Sequence, residues 1–427
     1  MRCRARTARS SHCVVDGDGL PVTQLHEPAR HEALIATRWS EGAAREAVVR
    51  IAADALRAFS PEALWPAHSL DEPDLPERRR AMLYDGAGGV IWALGHLRRV
   101  GAIPRDGDFD GDFGATVSTL VDRNRQLIDT WDDARGSYLM GDTGLRLLHW
   151  QHTRSEAVAD ALFADIEANL RHKTREALWG SPGSLLASLH MAEATGHTRW
   201  RGQLERGLRI LLDEMVFDPQ CGGWLWVQDM YDLHTRYLGA GHGFAGNIYP
   251  ALRGAALLPP GLVQTFAKRA LQTLSATAVH DGNTINWPPY PATDATAPTK
   301  WLVQDCHGAP GIVCRLADAP REPAWEALLL GAGEAIWRAG PLVKGGGLCH
   351  GTAGNGYAML KLWQRSGDAV WRERARAFAM HAVEQVERFA DTTGQTRHSL
   401  WTGDIGVALF AWACIDGDAR FPTLDVF

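Results

Sequence analysis

Three consecutive Gly-x-x-Gly units in the second half of the chain are preceded by histidine: His242-Gly243, His307-Gly308 and His350-Gly351. In two of them a cysteine precedes the histidine, as Cys306-His307 and Cys349-His350. Thiolate and imidazole are the donors that zinc selects. Two cysteines and one or two histidines brought together would therefore make a zinc site. Three protein donors with one position open is the catalytic arrangement, and four is the structural one. Cys306 and Cys349 are 43 residues apart, which is not a zinc-finger spacing, so the fold has to join them. Without that convergence the same residues would be buried thiols and hydrogen-bonded imidazoles.

The element that must position them is a repeat. Gly-x-x-Gly followed by an apolar helical run occurs seven times, beginning at Gly86, Gly141, Gly180, Gly243, Gly308, Gly351 and Gly403. A single such motif carries almost no information; seven, each opening an apolar helix, do. Between them lie segments with one apolar stripe at helical spacing, at 43–58, 116–131, 155–171, 201–215, 262–277, 324–338 and 371–389. Strand alternation is confined to short pieces near 222–227 and 284–287. A helix apolar on most sides must be buried, and a striped one can cover it. The pattern predicts an all-α closed ring with apolar helices inside and amphipathic helices outside. An open solenoid would need polar terminal repeats, whereas the last repeat, VALFAWAC, is as apolar as the middle ones. Glycine at the helix starts fits loop backbone packed too closely for a Cβ. In such a ring repeats four, five and six are neighbours, and their His and Cys-His positions meet at one sector of the rim.

The chain has 427 residues, 45% of them apolar and 22% charged, which suits a soluble protein with a sizeable core. Residues 1–30 read as a mobile N-terminal segment and 31–427 as a single domain. A net charge of −6 gives no reason to expect nucleic acid or an anionic membrane as partner. Seven cysteines, an odd number, argue against a disulfide framework. The first residues have arginines but no apolar stretch of a secretory signal, and no window reaches a membrane span. The cytoplasm is the expected location. Cys314 and Cys414 fall inside apolar helical runs and read as core. Cys221 sits in a Gly-Gly turn, and Cys3 and Cys13 lie in the N-terminal segment. His149, His190 and His234 repeat no motif.

The repeat units resemble the lanthionine synthetase C-like family, the lantibiotic cyclases and their stand-alone relatives. The resemblance runs from about Met82 to the end of the chain. It rests most on Gln304-Asp305-Cys306-His307-Gly308-Ala309-Pro310-Gly311 and on Gly347-Leu348-Cys349-His350-Gly351-Thr352-Ala353-Gly354. Ala240-Gly241-His242-Gly243 and the block from Ser399 to Asp404 add to it. It implies a seven-fold α/α toroid, a double ring of inner and outer helices. It implies zinc held by Cys306, Cys349 and His350, with His242 as catalytic histidine. His307 stands where cyclases often have tyrosine and the stand-alone relatives have histidine. Three positions depart from the cyclase pattern. Leu302 replaces an arginine, Glu176 replaces an aspartate, and Asp305 replaces a tryptophan before the first metal cysteine.

The activity so implied is addition of a thiol to dehydroalanine or dehydrobutyrine in a dehydrated peptide or protein, giving a thioether. The thiol would be a cysteine of the same peptide or glutathione, and His307 with the absent arginine leans towards glutathione. The dehydroamino acid is expected to be made elsewhere. His242 or His307 would stabilise the enolate and deliver the α-proton, helped by inner-helix N-termini facing the cavity. Two other readings compete. In one, zinc merely holds repeats five and six together in a binding scaffold. In the other, a glycan-processing toroid uses paired carboxylates, with Glu176, Asp305 and Asp404 as candidates.

Overall fold

The computed structural model describes residues 24–71, 80–104, 113–127, 135–230, 232–294 and 300–427. Cys3 and Cys13, with the first part of the expected N-terminal segment, lie outside them. Fourteen α-helices alternate along the described chain. In order these are α1 (Glu41–Arg57), α2 (Ala87–Arg99), α3 (Gly114–Leu127), α4 (Asp142–Thr153), α5 (Glu156–Asn169), α6 (Ser181–Thr195) and α7 (Thr198–Asp213). They continue with α8 (Phe244–Arg253), α9 (Pro260–Thr277), α10 (Ala309–Leu316), α11 (Pro323–Ala339), α12 (Thr352–Ser366), α13 (Ala369–Thr393) and α14 (Asp404–Asp416). The even-numbered helices are the seven glycine-initiated ones.

Each even helix packs on the next, from α2 through α14, and α14 returns to α2. The inner ring is therefore closed, and the open solenoid is excluded. α1 lies on α14, so the first outer helix covers the last inner one. The burial patterns follow the sequence. α14 is buried at every position from Ile405 to Cys414. α7 buries only Trp200, Gln203, Leu204, Gly207, Leu208 and Leu211, one stripe at three- and four-residue spacing. Three antiparallel hairpins interrupt the helices: β1 (Val216–Asp218) with β2 (Gly223–Leu225), β3 (Gln228–Met230) with β4 (Leu233–Thr235), and β5 (Val279–Asp281) with β6 (Thr284–Asn286).

The glycines answer to one geometry. A Cβ on the second glycine of each motif would meet the carbonyl oxygen six residues earlier. The separations would be 2.1 Å for Gly89 and Leu83, 2.2 Å for Gly144 and Tyr138, and 2.1 Å for Gly183 and Ala177. They would be 2.2 Å for Gly246 and Ala240, 1.8 Å for Gly311 and Asp305, 1.8 Å for Gly354 and Leu348, and 2.4 Å for Gly406 and Leu400. The loop thus doubles back across the start of the helix it introduces. Its carbonyls also take the first-turn amides. Ala87 N donates to Arg80 O, Asp142 N to Arg135 O, Phe244 N to Tyr237 O, Thr352 N to Gly345 O and Asp404 N to Arg397 O, at 2.8–3.0 Å. In α10, Ala309 N donates to Asn286 Oδ1 at 2.8 Å. These first amides are satisfied within the fold.

Two segments outside the repeat add to the ring. Residues 24–32 lie across repeats five and six: Glu32 N donates to Pro341 O and Val343 N to Arg30 O. Residues 421–427 cross the inner ring at the end away from the glycine loops. Tyr138 Oη donates to Thr423 O at 2.5 Å. Asp425 is buried and holds Lys361 Nζ at 2.5 Å and the Tyr249 hydroxyl.

The close approach sets a stability prediction. Gly311→Ala and Gly354→Ala should each destabilise by about 3 kcal/mol or more, the upper end for overpacking. Gly261→Ala, in open space within α9, should be neutral or stabilising by up to about 1 kcal/mol. Chemical denaturation of the three variants checks this, and equal effects would refute the packing argument.

Candidate metal centre

Counting back from the first glycine of each motif defines the site. The residues two before it are Tyr84, Leu139, Leu178, Gly241, Cys306, Cys349 and Trp401, one per repeat, and all seven line a cavity of about 260 Å³ inside the ring. Their backbones are linked around its mouth. Tyr84 N donates to Leu139 O, Gly241 N to Cys306 O, Cys349 N to Trp401 O and Trp401 N to Tyr84 O, at 2.9–3.1 Å. The last of these crosses the seam between the final repeat and the first. His242 and His350, one residue before their glycines, line the same cavity.

Ring closure brings the two distant cysteines together. Donor atoms of Cys306, Cys349 and His350 all lie within 4.8 Å of one another. Cys349 Sγ is 3.5 Å from His350 Nε2. A hydrogen bond with Cys306, and then burial, push the Cys349 thiol well above its ordinary range. A divalent cation would reverse that shift, because a coordinating thiol is deprotonated outright. Asp305 is no competing ligand. Its carboxylate takes both Arg315 Nη atoms, at 3.1 and 2.7 Å, and both side chains are buried. The donor set therefore fits a thiophilic divalent ion bound by three protein atoms.

His242 stands beside this group. Its Nδ1 lies 2.8 Å from Glu176 Oε2. The Glu176 carboxylate is fully buried and also accepts from Leu178 N at 3.1 Å and Trp179 N at 2.5 Å, so its direction is fixed. Burial pushes the His242 imidazole down, but the hydrogen bond and charge of Glu176, with Cys349, outweigh it, and the pKa is raised. His307 is tilted beside His242, ring centroids 5.8 Å apart, and packs edge-on against Tyr237. It is not among the residues lining the cavity. Burial, then the charges of His242 and His350, lower its pKa to about 3, so it is neutral at physiological pH.

Sequence reasoning missed two residues here. Tyr84 lines the cavity, hydrogen-bonds Cys349, and has its phenol pushed well up by burial first and then by Cys349. It occupies the repeat position of Cys306 and Cys349, so alignment of the seven loops could have found it. Arg315 also lines the cavity, with its guanidinium over the rings of Tyr249 and Phe421. An arginine inside an otherwise apolar run was its signal. The remaining residues sit as their sequence context indicated. Cys314 and Cys414 are buried core thiols raised by burial, and the five described cysteines are free. His190 is buried in α6, His149 is half-buried and His234 is exposed. No helix among the described residues is long and apolar enough to cross a membrane.

The carboxylates of the glycan-processing reading are dispersed. Asp305 belongs to Arg315, Glu176 belongs to His242, and Asp404 accepts from Arg397 N at 2.9 Å. Of the three, only Asp305 lines the cavity.

Comparison with known proteins bears on the family and the fold. LanC-like protein GCL1 of Arabidopsis thaliana is 35% identical over 264 residues, which cover 58% of this chain and 57% of that protein. Glutathione S-transferase LANCL1 of Danio rerio is 32% identical over 227 residues, covering 52% of this chain and 53% of that protein. The chain thus spans about half the length of the curated relatives it matches. The structure of nisin cyclase superposes with a TM-score of 0.60 over 81% of this chain and 92% of that one, at 14% identity, and shares the fold. The family model for lanthionine synthetase C-like protein matches residues 77–426, and the chain belongs to that family.

Proposed function

We propose that this protein adds a thiol to dehydroalanine or dehydrobutyrine in a dehydrated peptide or protein, forming a thioether. The observation that carries the reading is the meeting of Cys306, Cys349 and His350 in one cavity with the Glu176-anchored His242. Zinc held by Cys306, Cys349 and His350 would supply an open position at which a thiol, only a few per cent ionised near its reference pKa of about 8.5, becomes thiolate.

The reaction balances as an addition. The S–H proton leaves, a sulfur–Cβ bond replaces the C=C π bond, and one proton is delivered to Cα. His242 carries that proton. Glu176 holds Nδ1, so transfer runs through Nε2, and the raised pKa keeps an imidazolium populated near neutral pH. Neutral His307 then serves as a neighbour to His242 rather than as the acid. Tyr138, Leu139, Leu178, Leu186 and Trp401 give the cavity an apolar wall that keeps water from the enolate.

Glutathione is the thiol we favour. Leu302 stands where the cyclase pattern has arginine, His307 matches the stand-alone relatives, and one curated relative is named a glutathione S-transferase. A cytosolic location would keep the free cysteines reduced.

Incubation with a dehydrated, cysteine-containing peptide, with and without glutathione, should give a peptide heavier by one glutathione. A product with unchanged mass but one fewer free thiol would instead identify ring formation. No product with either thiol would overturn catalysis and leave a zinc-stabilised scaffold. Cys349→Ala should abolish the reaction, and His242→Ala should slow it by about 10²–10⁴-fold.

The Glu176–His242 pair also sets a pH dependence. The folded pKa of His242 is raised above the unfolded reference of about 6.5. Its stabilisation is therefore complete below that reference and is lost as pH rises through the folded value. Glu176→Gln should lower the His242 pKa seen by NMR titration and move the alkaline limb of the rate profile to lower pH. An unmoved limb would remove His242 from the proton step.

A further inference from the structure

The segment at 24–32 precedes the family match, which begins at residue 77, yet it is wired to both loops that carry the sulfur atoms. On the Cys349 side, Glu32 N donates to Pro341 O at 2.9 Å and Val343 N to Arg30 O at 3.1 Å, in the stretch leading to the glycine loop of repeat six. On the Cys306 side, Leu25 O accepts from Asn286 Nδ2 at 2.8 Å. The same amide nitrogen donates to Leu302 O at 3.1 Å, and its Oδ1 caps α10.

A further link reaches the donor itself. Arg30 Nη2 donates to Gln304 Oε1 at 3.0 Å, and Gln304 Nε2 is 3.0 Å from Cys306 Sγ. Guanidinium has no acceptor, so Arg30 can face only the oxygen end of the Gln304 amide. That fixes the opposite end, an N–H donor, on the sulfur. Gln304 is buried, so a flipped amide would set oxygen against a thiolate and leave Arg30 without its acceptor.

We infer that Gln304, oriented by Arg30, is a positioning residue for the metal centre, and that segment 24–32 clamps the two sulfur-bearing loops at their bonding separation. An N–H donor on Cys306 draws charge from the thiolate. It steadies the ligand and moderates the electron density passed to the ion. This inference rests on the zinc-thiolate reading above.

Cobalt substitution of the full chain tests it, because sulfur-to-cobalt charge transfer reports the thiolate directly. In Gln304→Leu and Arg30→Ala the band should move to lower energy, and zinc affinity by chelator competition should fall about ten-fold, the lower end for lost outer-shell partners. Arg30→Lys, which can still donate to the amide oxygen, should restore most of both. Glu32→Gln weakens the segment's contacts with His381, Gln385 and Arg388 but leaves Gln304 untouched. It should lower the melting temperature without moving the band. If Gln304→Leu does not fold, Arg30→Ala with its lysine rescue carries the test. Wild-type band and affinity in Arg30→Ala, or a band shift in Glu32→Gln equal to that of Arg30→Ala, would overturn the positioning role. Absence of any thiolate band in the wild type would instead sink the zinc reading.

Discussion

At seven places a carbonyl oxygen occupies the position where the next helix would otherwise carry a Cβ. That contact governs the rest of the molecule. It folds each loop back over its own helix start, gives the first helical amide of α2, α4, α8, α12 and α14 to a loop carbonyl, and projects the residue two before the first glycine inward in every repeat. The chemistry is a consequence of the register. Whatever stands at that position faces the cavity, and in repeats five and six it is cysteine.

In and around the cavity, buried charges are paired in three places. Arg315 neutralises Asp305, Glu176 answers His242, and Lys361 answers Asp425. The sulfur pair is the exception. A hydrogen bond with Cys306 and burial raise the Cys349 thiol, and a cation at this place would offset that cost. The same burial drives His307 towards neutrality while Glu176 keeps His242 basic. Two adjacent imidazoles are thereby shifted in opposite directions by their surroundings.

The fold was legible because it repeats. Glycine spacing marked the seven inner helices, the striped segments marked the outer ones, and the apolar final repeat signalled closure. Cys306 and Cys349 were legible because they share one motif position, and His350 because it shares the next one with His242 and His307. Tyr84 was overlooked although it shares that position, since a tyrosine draws no attention where metal donors are sought. Arg315 depends on a partner ten residues away inside a helix. The contacts of Arg30 with Gln304 and of Asp425 with Tyr249 join residues 274 and 176 positions apart, and no local pattern encodes them.

Residues 421–427 separate two spaces. Leu424 faces the cavity that holds Cys306 and Cys349, while Asp425, Val426 and Phe427 face a second hollow among the far ends of α4, α6 and α8. The ring is consequently a cup and not a tube. A polypeptide cannot be threaded through it like a strand through a bead. Under the function proposed, a reactive side chain would dip in from the rim and leave the way it came, to a depth set by Leu424 at the bottom.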